Sequence, residues 1–501
     1  MQNPFNKFNW IKTWIAFFLF FTLNMVVFTA IAFLVQPIWY DINNFLINAL
    51  GLEWDWLVTI IIISFGLIFY GAILSFNLLK RSKNLREMSE LSIKLPHKII
   101  SLLFIIIWNF MLYILVVEGG DELKVIGRQI ENMSPILYII LIMSLGLSIS
   151  ASSKHILKYS HLMTQKKDVK AGIVLVLIVG GYLFGFFMPI MGVPVNVLSE
   201  DLPEKPLLMA HRGAAYLAPE NTIIAGEVAL EWGAVGWEVD ISISYDGVLF
   251  LCHDTTLERT TNVEDIFPTR IQDDCTSFNM SELQQLDAGS WFVEGDPFKT
   301  IKDGFVTQAD AENYRGESIP TFAEVLTFTG DNDLYLDIDA GRPPADHPYY
   351  EAYYDILLSQ LNASGLGEKI MINSGDPLVV TMTTVGSAGT VEQILASGRD
   401  MINTHHGLTN DVFRAYDRAN ITVMVWTVDT PSRFSQLWCL GVDYVKTNAL
   451  HLLIPLTEPT WTISKANYML FWVILSGSSI LLGIAGYVLL SKRDKLVEKK
   501  S

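Results

Sequence analysis

Hydrophobic positions follow two patterns along this chain. In the first, apolar residues run almost unbroken through 14–36, 56–79, 99–117, 134–152, 171–193 and 466–490, each close to the roughly 20 residues that cross a bilayer. In the second, between 197 and 461, they come in short bursts separated by polar stretches with helical spacing. "LLMA" at 207–210, "AVGWEVDISIS" at 234–244, "DLYLDIDA" at 333–340, "KIMINS" at 369–374, "ITVMVWTVD" at 421–429 and "VDYVKTN" at 442–448 read as buried strands. "NTIIAGEVALEWG", "TFAEVLTF" and "DVFRAYDRA" read as the helices between them. Strands alternating with helices predict a parallel sheet under a helical cover. About eight such units in this length suit a (β/α)8 TIM-type barrel better than an open sheet. The predicted fold class is therefore an α/β barrel joined to an all-α region of six transmembrane helices. The predicted divisions are 1–196 (cytoplasmic N-terminus and five spans), 197–461 (barrel) and 462–501 (sixth span and basic tail).

Composition agrees with lipid-embedded segments, since charged residues make up 17% of the 501 positions where about a quarter is usual. The first apolar run is too long for a signal-peptide core, and four more spans follow it, so it reads as a retained helix. Lys and Arg concentrate in "LKRSKNLREMSELSIKLPHK", "SKHILKYSHLMTQKKDVK" and the terminal "SKRDKLVEKK". The positive-inside rule makes these segments and both termini cytoplasmic, and puts the barrel on the extracellular or lumenal side. The sequons at Asn132, Asn279, Asn362 and Asn420 all fall on that outer side, as expected of a glycoprotein. The spans hold almost no ionisable residues, which argues against a transporter or channel. A net charge of −17 gives no reason to expect nucleic acid as a partner. Cys252, Cys275 and Cys439 are odd in number and are assigned no bridge.

Candidate chemistry collects where barrel strands end. His211 and Arg212, Glu238 and Asp240, Asp337 and Asp339, Trp426, and Thr447 and Asn448 all occupy such ends, the face on which barrel active sites are built. Glu238 and Asp240 are two apart on one strand and share a face. Side-by-side carboxylates call for a cation, and hard oxygen donors favour Ca²⁺ or Mg²⁺. Asp246-Gly247 signals a hairpin; read as a two-residue turn, it sets His253 opposite Asp240. Two histidines, an arginine and a carboxylate pair suit phosphodiester cleavage. The metal and Arg212 would hold the phosphate oxygens, and the histidines would divide the proton transfers.

"HRGAAYLAPENT", "WEVDISISYDG", "LCHD", "VWTVD" and "GVDYVKTN" occur in this order and together resemble the glycerophosphodiester phosphodiesterase family. "TTNVEDIFPTRI", "LDAGSWF", "GRPPADHPYY" and "LWCLGVDYV" resemble its six-transmembrane branch with an extracellular catalytic domain. The resemblance implies that His211 and His253 are the catalytic pair, that Arg212 binds phosphate, and that Glu238 and Asp240 are metal ligands. It implies a third carboxylate ligand, Asp339 by position, with Asp337 as the alternative. Trp426 would wall the substrate site, and Glu220 and Asn221 would orient the groups around them. The bland alternative for Glu220 is a helix-start carboxylate. Many soluble members carry Glu-x-Lys in the carboxylate strand, whereas Gly341 stands at the lysine position here and Arg342 follows it. Residues 255–318 are the expected small insertion. The implied substrates are glycerophosphodiesters such as glycerophosphocholine and glycerophosphoinositol, or glycosylphosphatidylinositol anchors. The other reading of the chain is a signalling or adhesion protein whose barrel binds a ligand with little turnover.

Overall fold

Short β-branched and apolar runs become strands here because helices cover them on the outside. The computed structural model describes residues 4–34, 54–82, 93–118, 193–198, 201–372, 382–460 and 462–498, with isolated positions at 43 and 46 and between 139 and 191. The chain forms two compact units, residues 1–128 and 129–501.

Among the described residues the first unit contains three long helices: α1 (Pro4–Leu34), α2 (Trp56–Ser82) and α3 (Leu95–Glu118). Phe21, Met25 and Phe28 of α1 pack with Leu57 and Ile61 of α2 and Trp108 of α3. The Trp108 indole donates to Ser64 Oγ at 2.5 Å, a polar contact of the kind that joins helices in lipid. Phe20, Ile62, Phe69, Phe76, Ile106 and Phe110 point outward and are exposed. Among the described residues, two helices are long and apolar enough to cross a membrane, Trp56–Leu78 and Leu95–Tyr113, and a shorter apolar stretch covers Phe17–Thr29. The expected spans at 134–152 and 171–193 lie largely outside the described residues.

In the second unit eight parallel strands close on themselves. In chain order they are β1 (Leu207–Ala210), β2 (Gly236–Ile243), β4 (Tyr335–Ala340), β5 (Ile370–Ile372), β6 (Thr383–Gly386), β7 (Met401–His405), β8 (Thr422–Trp426) and β9 (Tyr444–Thr447). The ring closes because β1 pairs with both β9 and β2. The short β3 (Leu249–Leu251) folds back antiparallel on the end of β2. Helices α4 (Ile223–Glu231), α5 (Phe322–Asp331), α6 (Tyr353–Ser364), α7 (Val391–Ser397), α8 (Asn410–Arg418) and α9 (Pro431–Cys439) follow strands in turn. The chain thus contains the predicted barrel.

Met209, Met371, Val385, Met401 and Met424 come from five strands and pack on one another, so they fill the inside of the ring. Side chains alternate along a strand. The inward position two residues beyond Met209 is therefore His211, beyond Met401 it is Asn403, and beyond Met424 it is Trp426. The interior changes from apolar to polar toward the carboxyl ends of the strands. Outside the ring, residues such as Leu208, Trp237, Val239, Leu336 and Val425 pack under the helices in a separate large core.

The hairpin register differs from the sequence expectation by one residue. Ile241 pairs with Leu251 and Ile243 with Leu249, and Ser244 N–H and Val248 C=O close the loop at 2.9 Å. The turn therefore has three residues, Tyr245-Asp246-Gly247, with Gly247 in the left-handed region at φ +87°, a common three-residue hairpin form. Cys252, not His253, stands opposite Asp240, and its N–H bonds Asp240 C=O at 3.0 Å. From Cys252 to Pro320 the chain forms short helical segments around their own apolar cluster, including Leu257, Phe278, Leu283 and Ile319. Val197–Leu198 and Ile463–Ser464 pair in parallel, so the chain enters and leaves the barrel side by side. From there α10 (Lys465–Glu498) continues, its Tyr468 and Trp472 packed with Ile142.

Candidate active site

The β2–β4 register builds the carboxylate cluster, because Glu238 lies beside Asp337 and Asp240 beside Asp339. Four acids then share one end of the barrel. Glu238, Asp240 and Asp339 each offer an oxygen within 4.8 Å of the others. Asp337 is drawn away from this group. Its Oδ2 accepts from the buried Lys446 ammonium at 2.6 Å and from Asn403 Nδ2 at 3.3 Å. Burial, reinforced by the charge of Glu238, pushes the Asp240 carboxyl up to about 6. Burial likewise raises Glu238, against the nearby Lys446 charge. Such shifts mark negative charge without enough compensation, so the three-carboxylate donor set fits a hard divalent cation.

Surrounding groups hold these acids in place. Asn221 donates to Asp240 Oδ2 at 2.7 Å, and its own Oδ1 accepts from Asp240 N at 3.1 Å. Arg212 N donates to Glu238 Oε2 at 2.8 Å. For that contact Arg212 adopts φ +54°, a conformation costing a residue with a side chain about 1–3 kcal/mol. Gly213 follows at φ +75°, where a Cβ would come within 2.5 Å of Ala225 Cβ. The Arg212 guanidinium donates to Glu220 Oε1 at 3.0 Å, and its Nε stands 3.5 Å from Asp240. Glu220 does not cap the following helix. That role falls to Thr222, whose hydroxyl accepts from Ala225 N.

The two histidines have opposite partners. His211 Nδ1 bonds Asn448 Oδ1 at 2.9 Å, and its Nε2 lies 3.9 Å from Glu238. Burial, together with the charges of Arg212 and Lys446, lowers His211 to about 4. His253 bonds a carboxylate instead, Nδ1 to Asp254 Oδ1 at 2.7 Å. That bond raises the His253 pKa against the effect of burial. Burial would raise the Asp254 carboxyl, but hydrogen bonds from His253 and Arg259 hold it well below the usual range. Arg259 bridges Asp254 to Glu220, with contacts of 2.6 and 2.7 Å. One continuous network therefore joins His253, Asp254, Arg259, Glu220 and Arg212.

His211, Arg212, Glu238, Asp240, His253, Asp339 and Trp426 line one cavity of about 450 Å³, together with Asp337 and Lys446 on its inner side. Eight of the residues singled out from sequence thus line the cavity, while Glu220, Asn221, Thr447 and Asn448 do not. Arg342 lines an adjoining cavity that shares Asp240, His253 and Asp339, its guanidinium over Tyr350 and Tyr354 at 5.0 and 5.2 Å. Sequence reasoning missed Asp254, Arg259, Asn403 and Lys446. Lys446 did leave a signal, since a lysine between Val445 and Thr447 in a buried strand needs an acid inside the barrel. Arg259 left none, because it reaches the site from an irregular segment.

Residues 211–387 match the model of the glycerophosphoryl diester phosphodiesterase family, and residues 422–450 match a second model of the same description. Both matched segments of this family lie in the barrel. Its enzyme class is that of the glycerophosphodiester phosphodiesterases. The glycerophosphoinositol inositolphosphodiesterase GDPD2 of Mus musculus is 28% identical over 468 residues, 90% of this chain and 83% of that protein. Glycerophosphodiester phosphodiesterase domain-containing protein 5 of Gallus gallus is 29% identical over 443 residues, 86% and 72% of the two chains. Among solved structures, a glycerophosphodiester phosphodiesterase from Agrobacterium tumefaciens is 22% identical and aligns over 50% of this chain and 100% of its own, with a TM-score of 0.38.

Proposed function

We propose that this chain is a multi-pass membrane enzyme whose barrel hydrolyses glycerophosphodiesters, of the glycerophosphocholine or glycerophosphoinositol type, at the outer face of a bilayer. Glycosylphosphatidylinositol anchors are a variant substrate of the same chemistry. The observation carrying this reading is the contrast between the two histidines beside one carboxylate cluster. His211 is buried near the Arg212 and Lys446 cations, which keeps its ring neutral and suits it to accept a proton from the attacking hydroxyl. His253 bonds a carboxylate, which favours its protonated form and suits it to donate to the leaving alkoxide. Arg212 is braced by Glu220 and contacts the phosphate. Trp426 forms an apolar wall beside it. Glu238, Asp240 and Asp339 would hold one Ca²⁺ or Mg²⁺ ion, which when bound offsets charge on the phosphate oxygens.

The membrane part of the proposal has six spans and both termini in the cytoplasm. The outward apolar faces of α1 to α3 support it, as do the exposed Leu470, Val473, Ile474, Leu481 and Ile484 of α10. Purified full-length protein, incubated with a panel of glycerophosphodiesters and Mg²⁺, Ca²⁺ or EDTA, provides the test. Metal-dependent turnover is expected, and the His211→Ala, His253→Ala pair should lose at least about 10²-fold. Identifying the phosphorylated product as glycerol phosphate or head-group phosphate fixes the bond cleaved. Undiminished turnover in the double variant would overturn the assignment.

A further inference from the structure

Asp429 lies on the loop after β8 and does not line the cavity, yet it controls a residue that touches His211. Its carboxylate accepts three hydrogen bonds. Oδ1 receives Thr447 Oγ1 at 2.9 Å and Asn448 N at 2.8 Å, and Oδ2 receives Asn448 Nδ2 at 2.8 Å. An ionised carboxylate can only accept. It therefore holds the amino end of the Asn448 amide toward itself and leaves Oδ1 facing His211. Reversing the amide would set Oδ1 against the Asp429 oxygens.

The consequence passes to the imidazole. Asn448 Oδ1 is also only an acceptor, and it stands 2.9 Å from His211 Nδ1. Nδ1 must then carry the proton, which leaves the lone pair of the neutral ring on Nε2. Nε2 is the nitrogen turned toward Glu238. We infer that Asp429 is a positioning residue which, through Asn448, fixes the His211 tautomer that has a basic Nε2 in the site. The inference rests on the reading of His211 as the proton acceptor.

Donor and acceptor logic supplies a discriminating test in full-length protein. In Asp429→Asn an amide faces Asn448; Asn448 can then turn its amino group to His211 and favour the opposite tautomer. In the exchange Asp429→Asn with Asn448→Asp, residue 448 accepts from both His211 Nδ1 and the new amide, while the oxygen at 429 still receives Thr447 and the 448 backbone N–H. Steady-state kinetics on a glycerophosphodiester, with thermal unfolding as the check on folding, should show kcat reduced about 10²-fold in Asp429→Asn with KM nearly unchanged. The exchange should recover kcat to within about tenfold of wild type. A merely structural Asp429 predicts that the exchange is no better than the single variant, and that result overturns the inference. Full kcat in a folded Asp429→Asn does the same. Should Asp429→Asn fail to fold, Asn448→Ala keeps the Thr447 and backbone contacts of Asp429, and unchanged kcat there is equally decisive. His211→Ala separates the two readings. If it retains turnover, His211 is not the base; if it is inactive while Asp429→Asn is normal, only the positioning role fails.

Discussion

Asp254 shows how one carboxylate can set the working pH of the site. It sits next to His253 in sequence, bonds it at 2.7 Å, and is itself pinned by Arg259. The Asp254 carboxylate raises the pKa of His253. A proton donor works below its own pKa, so activity should fall as pH rises through the His253 value. Replacing Asp254 by Asn removes the charge that favours the imidazolium, and the His253 pKa drops. The alkaline limb of the kcat/KM profile should accordingly move to lower pH, and kcat/KM at pH 8 should fall by about 10²-fold. A profile superimposable on wild type would show that His253 does not act as the acid. Glu220 supports the same network from the other side, and removing it leaves Arg212 and Arg259 without their shared partner. Glu220→Gln should therefore raise KM more than it lowers kcat, because its first effect is on how Arg212 is held against phosphate.

At the scale of elements, the neighbouring strands β2 and β4, together with β9 on the far side of β1, decide which acids are free. Asp337 and Asp339 point to the same face of β4, and sequence alone could not separate them. The distinction comes from Lys446, which enters from β9 and engages the inner acid. Asp339→Asn should weaken divalent-cation affinity, measured by calorimetry on the full-length protein, by at least about tenfold, while Asp337→Asn changes it much less. Lys446→Met should instead act on stability, since it leaves a buried carboxylate unpaired at a cost of about 3–5 kcal/mol. Adding Asp337→Leu should return most of that loss, because an apolar pair tolerates burial where a lone charge does not. If the double variant unfolds no later than Lys446→Met alone, Asp337 is not the partner that matters. Legibility in the sequence follows the same physics. Strands with a continuous apolar run, such as "LLMA", or a regular alternation of apolar and polar residues, such as "GWEVDISI", could be read directly. Met401–His405 and Thr383–Gly386 could not be read this way, because "MINTH" and "TTVG" are short and partly polar: Asn403 reaches Asp337 in the site, while Thr383 and Thr384 bond Glu368 C=O and Asp400. The hairpin was legible but its register was not. Asp246-Gly247 fits a two-residue or a three-residue turn, and only the paired backbone of Ser244 and Val248 separates them.

For the whole molecule, the proposed direction in which the barrel faces rests on charge and hydropathy rather than on the barrel itself. In the proposed topology the basic loops face the cytoplasm and the barrel lies outside, with the sequons at Asn279, Asn362 and Asn420. Asn362 lies near the end of α6 and Asn420 in the turn after α8, and both are exposed. Their amides can carry a glycan without disturbing the ring of strands. Expressed in the secretory pathway of a eukaryotic cell, the protein should gain glycans that an endoglycosidase removes. Asn362→Gln and Asn420→Gln together should abolish most of the resulting mobility shift. Protease added to intact cells should cut the 197–461 region and spare the segments between spans two and three and between spans four and five. The opposite pattern, with no glycan at either asparagine and protection of the barrel, would place catalysis in the cytoplasm. The same barrel would then meet cytoplasmic glycerophosphodiesters and could not reach anchors displayed on the outer leaflet. Topology therefore selects between substrate pools that the cavity, with its local phosphate chemistry, would treat alike.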